Sequence, residues 1–244
     1  MAVVATPAVP VLTLPASGPP SALPALPPPG APPLLWLLRA GTLPPPGAEA
    51  GLDRLEAARR SRFARPRDRD RYTAAHLGLR RLLGGYLHRD PSEVVIVREP
   101  CPVCGGPTGR PAVAGPGLHF SLSRSGPVAL YALARAPVGV DIETAGSAGA
   151  STDVARLLHP RERAELDALT PGERGEAFLR CWTRKEARLK GTGAGLSHGI
   201  DGTYVGTGPV PSRQPPASGW TLLDVRAAEK FYAAVAFRSG TDAS

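Results

Sequence analysis

Apolar and polar residues follow two patterns along this chain, one typical of strands and one typical of helices. Together they predict an α+β protein. Strands are predicted where about four to eight apolar or alternating residues lie between Gly or Pro, at Pro33–Leu38, Val94–Arg98, Leu118–Leu122, Val128–Ala134, Val138–Glu143, Gly202–Val205, Trp220–Val225 and Tyr232–Phe237. Helices are predicted where apolar residues recur every three or four positions, at Leu52–Phe63, Asp68–Leu87, Asp153–Leu158, Pro160–Leu169 and Gly172–Gly191. The Gly, Pro and Ser-rich segment Gly206–Gly219 predicts a mobile loop.

The predicted elements repeat, because a strand, helices and an antiparallel return occur once in residues 34–136 and again in residues 137–239. This repetition indicates two similar halves. Residues 1–33 contain eleven Pro and no charged residue. Such a composition cannot build helix interiors or central strands, so we expect a disordered, partly polyproline tail there. We expect residues 240–244 to be a short disordered tail as well.

Length and composition are those of a folded protein with a basic surface. The 244 residues are 42% hydrophobic, enough for a proper core, and only 5% aromatic, so Ala, Leu and Val must fill most of that core. The formal net charge is +8 and the pI is near 10, which favours acidic partners such as nucleic acid, anionic membranes, phosphorylated cofactors or acidic proteins. Charge alone does not choose among these partners.

No targeting segment is recognisable in the sequence. The first basic residue is Arg39, and Pro interrupts every apolar run before it, so a signal peptide is not expected. No run approaches about 18 consecutive apolar residues, so a transmembrane helix is not expected either. We therefore expect a cytoplasmic protein without a membrane partner.

The three cysteines are too few for a disulfide framework. Cys101 and Cys104 form a C-x-x-C-G-G turn that resembles a zinc knuckle, but a closed zinc site needs four ligands and only scattered candidates remain. The alternative is a surface turn rich in Gly and Pro. Cys181 lies beside Trp182 on a predicted helix, where a core position is expected.

Two acidic residues share one face of a predicted strand. In Val138–Glu143 the apolar and polar positions alternate with a period of two, so Asp141 and Glu143 point the same way. Their Cα atoms are expected about 6–7 Å apart, which lets both carboxylates reach one cation. The alternative is a strand that simply runs into a polar turn at Thr144.

A helical segment contains two of the three Lys in a chain that otherwise uses Arg as its basic residue. Lys185 and Lys190 flank Glu186, and a Lys is a compact point charge whose protonation can be tuned, whereas an Arg is a planar fork. The alternative is an amphipathic helix in which Glu186 and Lys190 form a pair at i,i+4. Such a pair adds only about 0.2–0.5 kcal/mol.

Taken together, these motifs resemble those of the 4′-phosphopantetheinyl transferases of the larger, Sfp-like type. The two strong matches are Gly139–Glu143, similar to the family's G-[VI]-D-x-E, and Trp182–Leu196, similar to its W-x-x-K-E-[AS]-x-x-K and G-x-G-L tail. Weaker matches occur in the same order at Arg62-Phe63 with Arg71 and Arg80, Gly109-Arg110-Pro111, Phe120–Gly126 and His159-Pro160-x-Glu162. The resemblance extends from about residue 52 to residue 237.

The resemblance implies both a fold and a reaction. The expected fold is a pair of similar subdomains related by a pseudo-twofold, each a small, mainly antiparallel sheet packed with helices, with the active site in the cleft between them. The expected reaction transfers the 4′-phosphopantetheine arm of coenzyme A to a serine of an apo acyl or peptidyl carrier protein, giving holo carrier protein and adenosine 3′,5′-bisphosphate. The carrier would serve fatty acid, polyketide or nonribosomal peptide assembly, and the transferase would be a monomer.

The resemblance also implies a metal site and catalytic residues. Asp141, Glu143 and Glu186 would hold Mg²⁺, with Mn²⁺ as an alternative, and Asp141 would also lie against the cofactor. Glu186 is the expected base for the serine hydroxyl, acting directly or through a metal-bound water. Lys190 would contact the phosphates and stabilise charge on the departing nucleotide. Lys185 is expected to contact phosphate or to form a salt bridge.

Coenzyme A also carries a 3′-phosphate, for which the resemblance and the chemistry of Arg suggest partners. The candidates are Arg59, Arg71, Arg110, Ser123 and Arg124. For most of the basic stretch from Arg59 to Arg71, the alternative to phosphate binding is a solvated basic surface. Arg124 stands where the family usually has His, and an Arg cannot switch its charge near neutral pH.

Two other functions compete with the transferase. A nucleic-acid-binding protein with a C-x-x-C turn would explain the charge, and its Arg-rich helices would bind phosphates. It would leave the three acidic residues unexplained, since carboxylates repel phosphates, and few aromatics are present for base stacking. An inactive family member that only binds carrier proteins is the third hypothesis, supported by Arg124 alone. We expect an acidic carrier protein and coenzyme A as partners, and no nucleic acid.

Overall fold

A computed structural model describes residues 9–18, 20, 22–39, 44–115, 117–150, 154–195, 199–212 and 218–240 of the chain. The strands are β1 (Val11–Leu14), β2 (Leu34–Arg39), β3 (Ile96–Arg98), β4 (Pro111–Val113), β5 (His119–Ser125), β6 (Val128–Ala134), β7 (Val138–Thr144), β8 (Trp220–Asp224) and β9 (Phe231–Arg238). The helices are α1 (Arg54–Ser61), α2 (Pro66–Leu87), α3 (Pro160–Asp167) and α4 (Pro171–Thr192), with 3₁₀ turns at Ala48–Gly51, Pro91–Glu93 and Ala145–Ala150. The α+β prediction is confirmed.

Two of the sheets share one strand order. The four-stranded sheet has the order β1-β2-β6-β5, the three-stranded sheet has the order β7-β9-β8, and β3 and β4 form a separate hairpin. In the four-stranded sheet, β6 pairs antiparallel with β2 on one side and with β5 on the other. In the three-stranded sheet, β9 pairs antiparallel with β7 on one side and with β8 on the other. Helices α1 and α2 follow β2 in the chain, as α3 and α4 follow β7.

The apolar residues that alternate along β7 join the two larger sheets. Val138, Val140 and Ile142 are buried in an apolar cluster that also contains Leu35 of β2 and Val235 of β9. Burying a side chain of this size contributes about 1.5–3 kcal/mol, so this shared cluster holds the two halves together. A second apolar cluster packs under α2 and a third under α4. The opposite face of β7 is left for the polar residues.

Part of the Pro-rich N-terminal segment is ordered, so the prediction of a disordered tail over residues 1–33 is wrong for that part. Strand β1 pairs in parallel with β2, and Val9 and Leu14 are buried. Arg81 donates hydrogen bonds to the carbonyl oxygens of Gly18 and Pro15 (2.5 and 2.8 Å). The run of β1 is free of Pro, and the edge of β2 offers it unpaired backbone groups, which composition alone does not reveal.

The predicted strand at Gly202–Val205 does not form. The backbone there hydrogen-bonds with side chains instead of a neighbouring strand: the Thr203 carbonyl accepts from Lys185 Nζ (2.6 Å), and the Val205 N–H donates to Glu162 Oε1 (2.7 Å). Because buried backbone groups must find a partner, these side chains from α3 and α4 hold the segment in an irregular conformation.

Several predictions fall on residues outside those described. They concern residues 1–8 and 241–244 of the two tails, residues 213–217 of the predicted loop, Asp153 at the start of a predicted helix, and Leu196 at the end of the lysine motif. Of the helix predicted at Asp153–Leu158, residues 154–155 are helical and a turn follows. Across the described ranges, no helix has the length and apolar character that crossing a bilayer demands.

Candidate active site

Helix α4 begins and ends at sequence signals that set which residues face the sheet. Pro171 occupies its first turn, and Glu173 Oε2 accepts hydrogen bonds from the Thr170 N–H (3.1 Å) and hydroxyl (2.6 Å), which satisfies groups at the helix start. Gly193 ends the helix with a φ of 79°, a left-handed conformation that favours glycine.

Two glycines let α4 lie directly against β7. A Cβ on Gly139 would be 1.9 Å from the Ala187 carbonyl oxygen and 2.3 Å from the Gly191 nitrogen. A Cβ on Gly191 would be 2.5 Å from the ring of Trp220. A side chain at Gly139 would therefore separate β7 from α4, and one at Gly191 would displace Trp220 of β8. Because residues two apart on a strand share a face, the same contact turns the acidic residues of β7 towards α4.

Asp141 is buried between β5 and α4 and makes strong hydrogen bonds through one oxygen. Its Oδ1 accepts from Lys190 Nζ (2.6 Å) and from Ser123 Oγ (2.7 Å), and Lys190 Nζ also donates to Ser123 Oγ (3.1 Å). Asp141 is 3% exposed, and its Oδ2 is buried without a hydrogen-bond partner in the part of the chain that the structure describes. A buried polar atom without a partner costs about 1–3 kcal/mol.

Glu143 and Glu186 complete a cluster of acidic groups around Asp141. Glu143 Oε2 accepts a hydrogen bond from Ser125 Oγ (3.0 Å), and burial followed by the charge of Asp141 raises the pKa of Glu143. Burial, reinforced by Asp141 and Glu143 and opposed by Lys190, raises the pKa of Glu186 to about 7. Each carboxyl group thus lies within electrostatic reach of the other two.

The chemistry of this cluster fits a hard divalent cation. Mg²⁺ prefers oxygen ligands, keeps several waters, and needs only one or two carboxylates together with substrate phosphates. The unpartnered Oδ2 of Asp141 is an available ligand atom. As they stand, the described residues contain no group of three His, Cys, Asp or Glu side chains that could hold a metal by itself, and the Lys190 ammonium occupies Oδ1 of Asp141. Substrate oxygens would have to complete the coordination.

A cleft of about 750 Å³ opens beside this cluster. Glu186 and Lys190 line one side of it, and α1, α2, the β3–β4 hairpin and β5 supply residues of the other sides. Three of the predicted coenzyme A residues, Arg59, Arg110 and Arg124, are in the lining. Among the described residues, the lining contains five basic residues and three acidic ones, an excess of positive charge that favours an anionic ligand.

Arg124 is held by aromatic rings at the cleft wall. Its guanidinium lies over Tyr72 (5.0 Å from the ring centroid) and Phe63 (5.7 Å), positions that stabilise a cation. Arg124 is exposed to the cleft, and its partial desolvation against these rings lowers the pKa of its guanidinium, with the positive charge of Arg59 acting in the same direction. Two guanidinium groups close enough to repel each other form a site in which an anion is stabilised.

Arg110 and Ser123 reach the site, but both already have protein partners. Arg110 Nη1 donates to the Gly191 carbonyl oxygen (2.8 Å), and its Nε lies 2.7 Å from Glu99 Oε2 without hydrogen-bond alignment. This links the β3–β4 hairpin to the end of α4. Ser123 donates its only proton to Asp141, so the prediction that its hydroxyl donates to a coenzyme A phosphate does not describe this conformation.

Lys185 and Arg71 lie outside the site, contrary to the predicted cofactor contacts. Lys185 is 3% exposed, and its Nζ lies 2.8 Å from Glu162 Oε2. The salt-bridge alternative for Lys185 is therefore confirmed and the phosphate contact is wrong, because its direction on α4 leads into the core. Arg71 Nη1 lies 3.8 Å from Asp68 Oδ1, and Arg71 is absent from the described residues that line the cleft.

Two features of the site were not predicted from the sequence. Tyr72 and Phe63 form the aromatic wall under Arg124, and their position follows from the packing of α1 on α2. Ser125 contacts Glu143. The available signal was the spacing of the serines in Phe120–Gly126, since hydroxyls at every second position of a strand share a face.

Two of the cysteines lie in a tight turn, and the third lies in the core. Cys101 is buried and Cys104 is exposed, in a turn closed by hydrogen bonds from the Cys101 N–H to the Gly106 carbonyl (2.7 Å) and from the Gly105 N–H to the Cys101 carbonyl (2.8 Å). Within the described ranges no third His, Cys, Asp or Glu joins them as a ligand. Cys181 is buried in the apolar cluster under α4, so the prediction of a core position is confirmed.

Comparison with known proteins identifies a family and several relatives of this chain. Residues 137–221 match the model of the family described as "4'-phosphopantetheinyl transferase superfamily". The chain is 35% identical over 183 residues to 4'-phosphopantetheinyl transferase HetI of Nostoc sp., covering 74% of this chain and 76% of HetI. It is 31% identical over 174 residues to the putative 4'-phosphopantetheinyl transferase slr0495 of Synechocystis sp., covering 69% of this chain and 68% of that protein. With 4'-phosphopantetheinyl transferase Sfp of Bacillus subtilis it shares 33% identity over 95 residues, 38% of this chain and 42% of Sfp.

Proposed function

Since the chain belongs to the 4′-phosphopantetheinyl transferase superfamily, we propose that it transfers the phosphopantetheine arm of coenzyme A to a serine of an apo acyl or peptidyl carrier protein. The products would be the holo carrier protein and adenosine 3′,5′-bisphosphate. The observation that carries the proposal is the meeting of Asp141, Glu143, Glu186 and Lys190 beside a basic cleft. Acidic and basic groups at one place are what a metal-assisted attack on a pyrophosphate requires.

Asp141, Glu143 and Glu186 would hold Mg²⁺, or Mn²⁺ in its place, together with pyrophosphate oxygens of coenzyme A. When bound there, the cation would neutralise charge on the pyrophosphate and orient it for displacement. The unpartnered Asp141 Oδ2 and the raised pKa values of the two glutamates support this, because both are unfavourable features that a cation would remove.

Glu186 is the proposed base. In the reaction, the carrier serine oxygen forms a bond to the β-phosphorus, the bond from that phosphorus to the bridging oxygen breaks, and the serine proton goes to Glu186. Before a divalent cation binds, burial raises the pKa of Glu186 to about 7, which makes it the readiest proton acceptor of the three carboxylates, either directly or through a metal-bound water. Lys190 lies on the same helix face and would stabilise the negative charge on the departing bisphosphate.

Arg59 and Arg124 are the proposed partners of the 3′-phosphate of coenzyme A. Both line the cleft, and the repulsion between their charges would be relieved by a bound dianion. Arg124 remains a cation across the physiological pH range, so phosphate binding here would not depend on the titration of a histidine. Arg110 could join them at the β3–β4 side of the cleft.

The repeated sheet order supports two subdomains related by a pseudo-twofold. The orders β2-β6-β5 and β7-β9-β8 correspond strand for strand, and each half places two helices after its first strand. In this arrangement the cleft would lie between the halves, since its lining comes from α1, α2 and β5 of the first half and α4 of the second. The basic surface would meet an acidic carrier protein from the open side.

A modification assay tests the function. The protein would be incubated with coenzyme A, MgCl₂ and several apo carrier proteins, and each carrier would be weighed by mass spectrometry. We expect a gain of one phosphopantetheine arm, absent with the serine-to-alanine carrier. Carriers that stay unmodified, together with salt-sensitive binding of the protein to DNA, would favour the nucleic-acid-binding alternative. Carrier binding without modification would favour an inactive family member.

A further inference from the structure

Three serines connect two strands that belong to different sheets. Strand β5 is at the edge of the four-stranded sheet and β7 is at the edge of the three-stranded sheet, and the two edges lie side by side. The hydroxyls of Ser121, Ser123 and Ser125 point from β5 to β7 and are all buried. The residues between them, including Arg124, face the cleft. The junction of the two sheets therefore depends on side-chain hydroxyls at alternate positions.

The three hydroxyls differ in what they contact. Ser121 Oγ accepts a hydrogen bond from the Val140 N–H (3.1 Å), a backbone contact. Ser123 Oγ donates to Asp141, whose other contact on the same oxygen is Lys190. Ser125 Oγ accepts from the Thr144 N–H (3.0 Å) and contacts Glu143 Oε2 (3.0 Å).

The double contact of Ser125 determines where its proton points. A hydroxyl has one proton and can accept through its lone pairs, so the Thr144 N–H occupies the acceptor side and the proton is left for Glu143. A second nearby hydroxyl, that of Ser147, donates to the Thr144 carbonyl (2.6 Å) and also lowers the pKa of Glu143 through a hydrogen bond, but less than Ser125 does. Ser125 is thus the hydroxyl with the larger effect on the Glu143 carboxylate.

From this geometry we propose that Ser125 is a positioning residue, which fixes the Glu143 carboxylate for a divalent cation by holding one of its oxygens. The other oxygen is then presented on the α4 side of β7, towards Asp141 and Glu186. The inference rests on the proposed function, because it names what orients a ligand of that same cation site. Hydrogen bonds from outside the coordination sphere orient metal-binding carboxylates in many proteins, and their loss lowers metal affinity about 10- to 100-fold.

The test measures Mn²⁺ affinity in the absence of carrier protein. Free Mn²⁺ would be followed by electron paramagnetic resonance in the presence of the protein and coenzyme A, with a protein-free coenzyme A blank. We expect Ser125→Ala to weaken Mn²⁺ binding about 10- to 100-fold and Ser125→Thr, which keeps a hydroxyl, to restore it to within about threefold of the wild type. The matched control Ser121→Ala removes a hydroxyl of the same row that contacts only backbone, and its Mn²⁺ affinity should stay within about twofold of the wild type.

The outcomes separate this inference from the proposed function. Wild-type protein that neither binds Mn²⁺ nor modifies a carrier would refute the function itself. Wild-type protein that does both, with Ser125→Ala binding Mn²⁺ as tightly as wild type or Ser121→Ala losing as much affinity, would refute only the positioning role. If circular dichroism shows that the alanine variant does not fold, Ser125→Cys keeps a similar shape with a much weaker donor and should weaken Mn²⁺ binding in the same direction.

Discussion

Two clusters of charged groups, one in each half of the chain, differ in how fully their carboxylates are paired with cations. In the first, Arg80 donates to Asp53 (2.6 Å) and Glu56 (2.7 Å), and His76 also contacts Glu56 (2.9 Å). The remaining nitrogen of Arg80 donates to backbone carbonyl oxygens. We call this the Arg80 cluster. In it, each carboxylate has a cationic partner and the hydrogen-bonding capacity of the arginine is used.

The second cluster, which we call the Lys190 cluster, contains Asp141, Glu143 and Glu186 around a single ammonium group. Its balance is negative, and one carboxylate oxygen has no partner among the described residues. The pKa values of Glu56 and Glu186 differ in the same way. Burial alone would raise the pKa of Glu56, but hydrogen bonds from His76, the Asp53 N–H and Arg80 outweigh it and lower that pKa to about 2, whereas the pKa of Glu186 is raised to about 7.

The two clusters differ in which process depends on their charges: folding depends on the Arg80 cluster, and the charges of the Lys190 cluster are available for chemistry. Where each buried carboxylate has a hydrogen-bonded cationic partner, removing that partner is strongly destabilising because it leaves an uncompensated buried charge. A cluster with an excess of one charge destabilises the folded state until a ligand of the opposite charge binds, and such sites are where perturbed pKa values mark function. Four predictions follow from this difference, each of which changes one cluster or its surroundings.

Removal of the arginine should have the largest effect on stability. Arg80→Met leaves Asp53 and Glu56 without their cationic partner, and breaking a buried ion pair in this way costs about 3–5 kcal/mol. We expect this loss in the free energy of unfolding, measured by urea denaturation monitored by circular dichroism. A loss below about 1 kcal/mol would mean that the Arg80 cluster does not stabilise the fold as its geometry indicates.

Glu186→Gln should separate activity from stability. Loss of the proposed base should lower kcat about 10²- to 10⁴-fold in the carrier modification assay. Because the substitution also removes a charge that burial disfavours, together with its repulsion by Asp141 and Glu143, the free energy of unfolding near neutral pH should rise by about 1–3 kcal/mol. A variant that keeps wild-type kcat would contradict the role of Glu186 as the base, and one that is strongly destabilised would contradict the excess of negative charge.

Acid should weaken the Arg80 cluster in a defined window. The pKa of Glu56 is lowered from 4.5 to about 2 on folding, so its stabilisation is fully present above pH 4.5 and is lost as the pH falls towards 2. The full loss is on the order of 3 kcal/mol. We expect the wild type to lose more unfolding free energy than Glu56→Gln between about pH 5 and pH 3, in parallel urea titrations. Equal losses in the two proteins would contradict the lowered pKa.

The smallest contrast is between two arginines of the basic surface. Arg124→Ala should raise the KM for coenzyme A about tenfold or more, because a charge-assisted contact with phosphate is worth about 1.5–3 kcal/mol. Arg71→Ala should leave that KM unchanged and alter stability by less than about 0.5 kcal/mol, since Arg71 forms an exposed pair with Asp68. Equal effects of both substitutions would mean that the cleft does not select the cofactor contacts.

Much of the fold was predictable because its signals are local. The period of two in Val138–Glu143 predicted β7 and the shared direction of its carboxylates, and the helical repeat with Pro171 and Gly193 at its ends predicted α4. The strand predicted at Gly202–Val205 failed, since its backbone partners are side chains far away in the sequence. Strand β1 was missed for the same reason, because its partner is the edge of β2.

By itself, the sequence determined the elements whose signal is local, among them β7 and α4, and the identities of the acidic residues, since side-chain periodicity depends only on neighbours along the chain. Tertiary structure alone decided that Lys190 reaches Asp141 while Lys185 pairs with Glu162 in the core. The two lysines point about 140° apart on α4, so the side on which β7 packs selects between them. Tertiary structure likewise decided the role of Ser125, because neither β5 nor β7 alone contains a sequence signal for the contact between the edges of the two sheets.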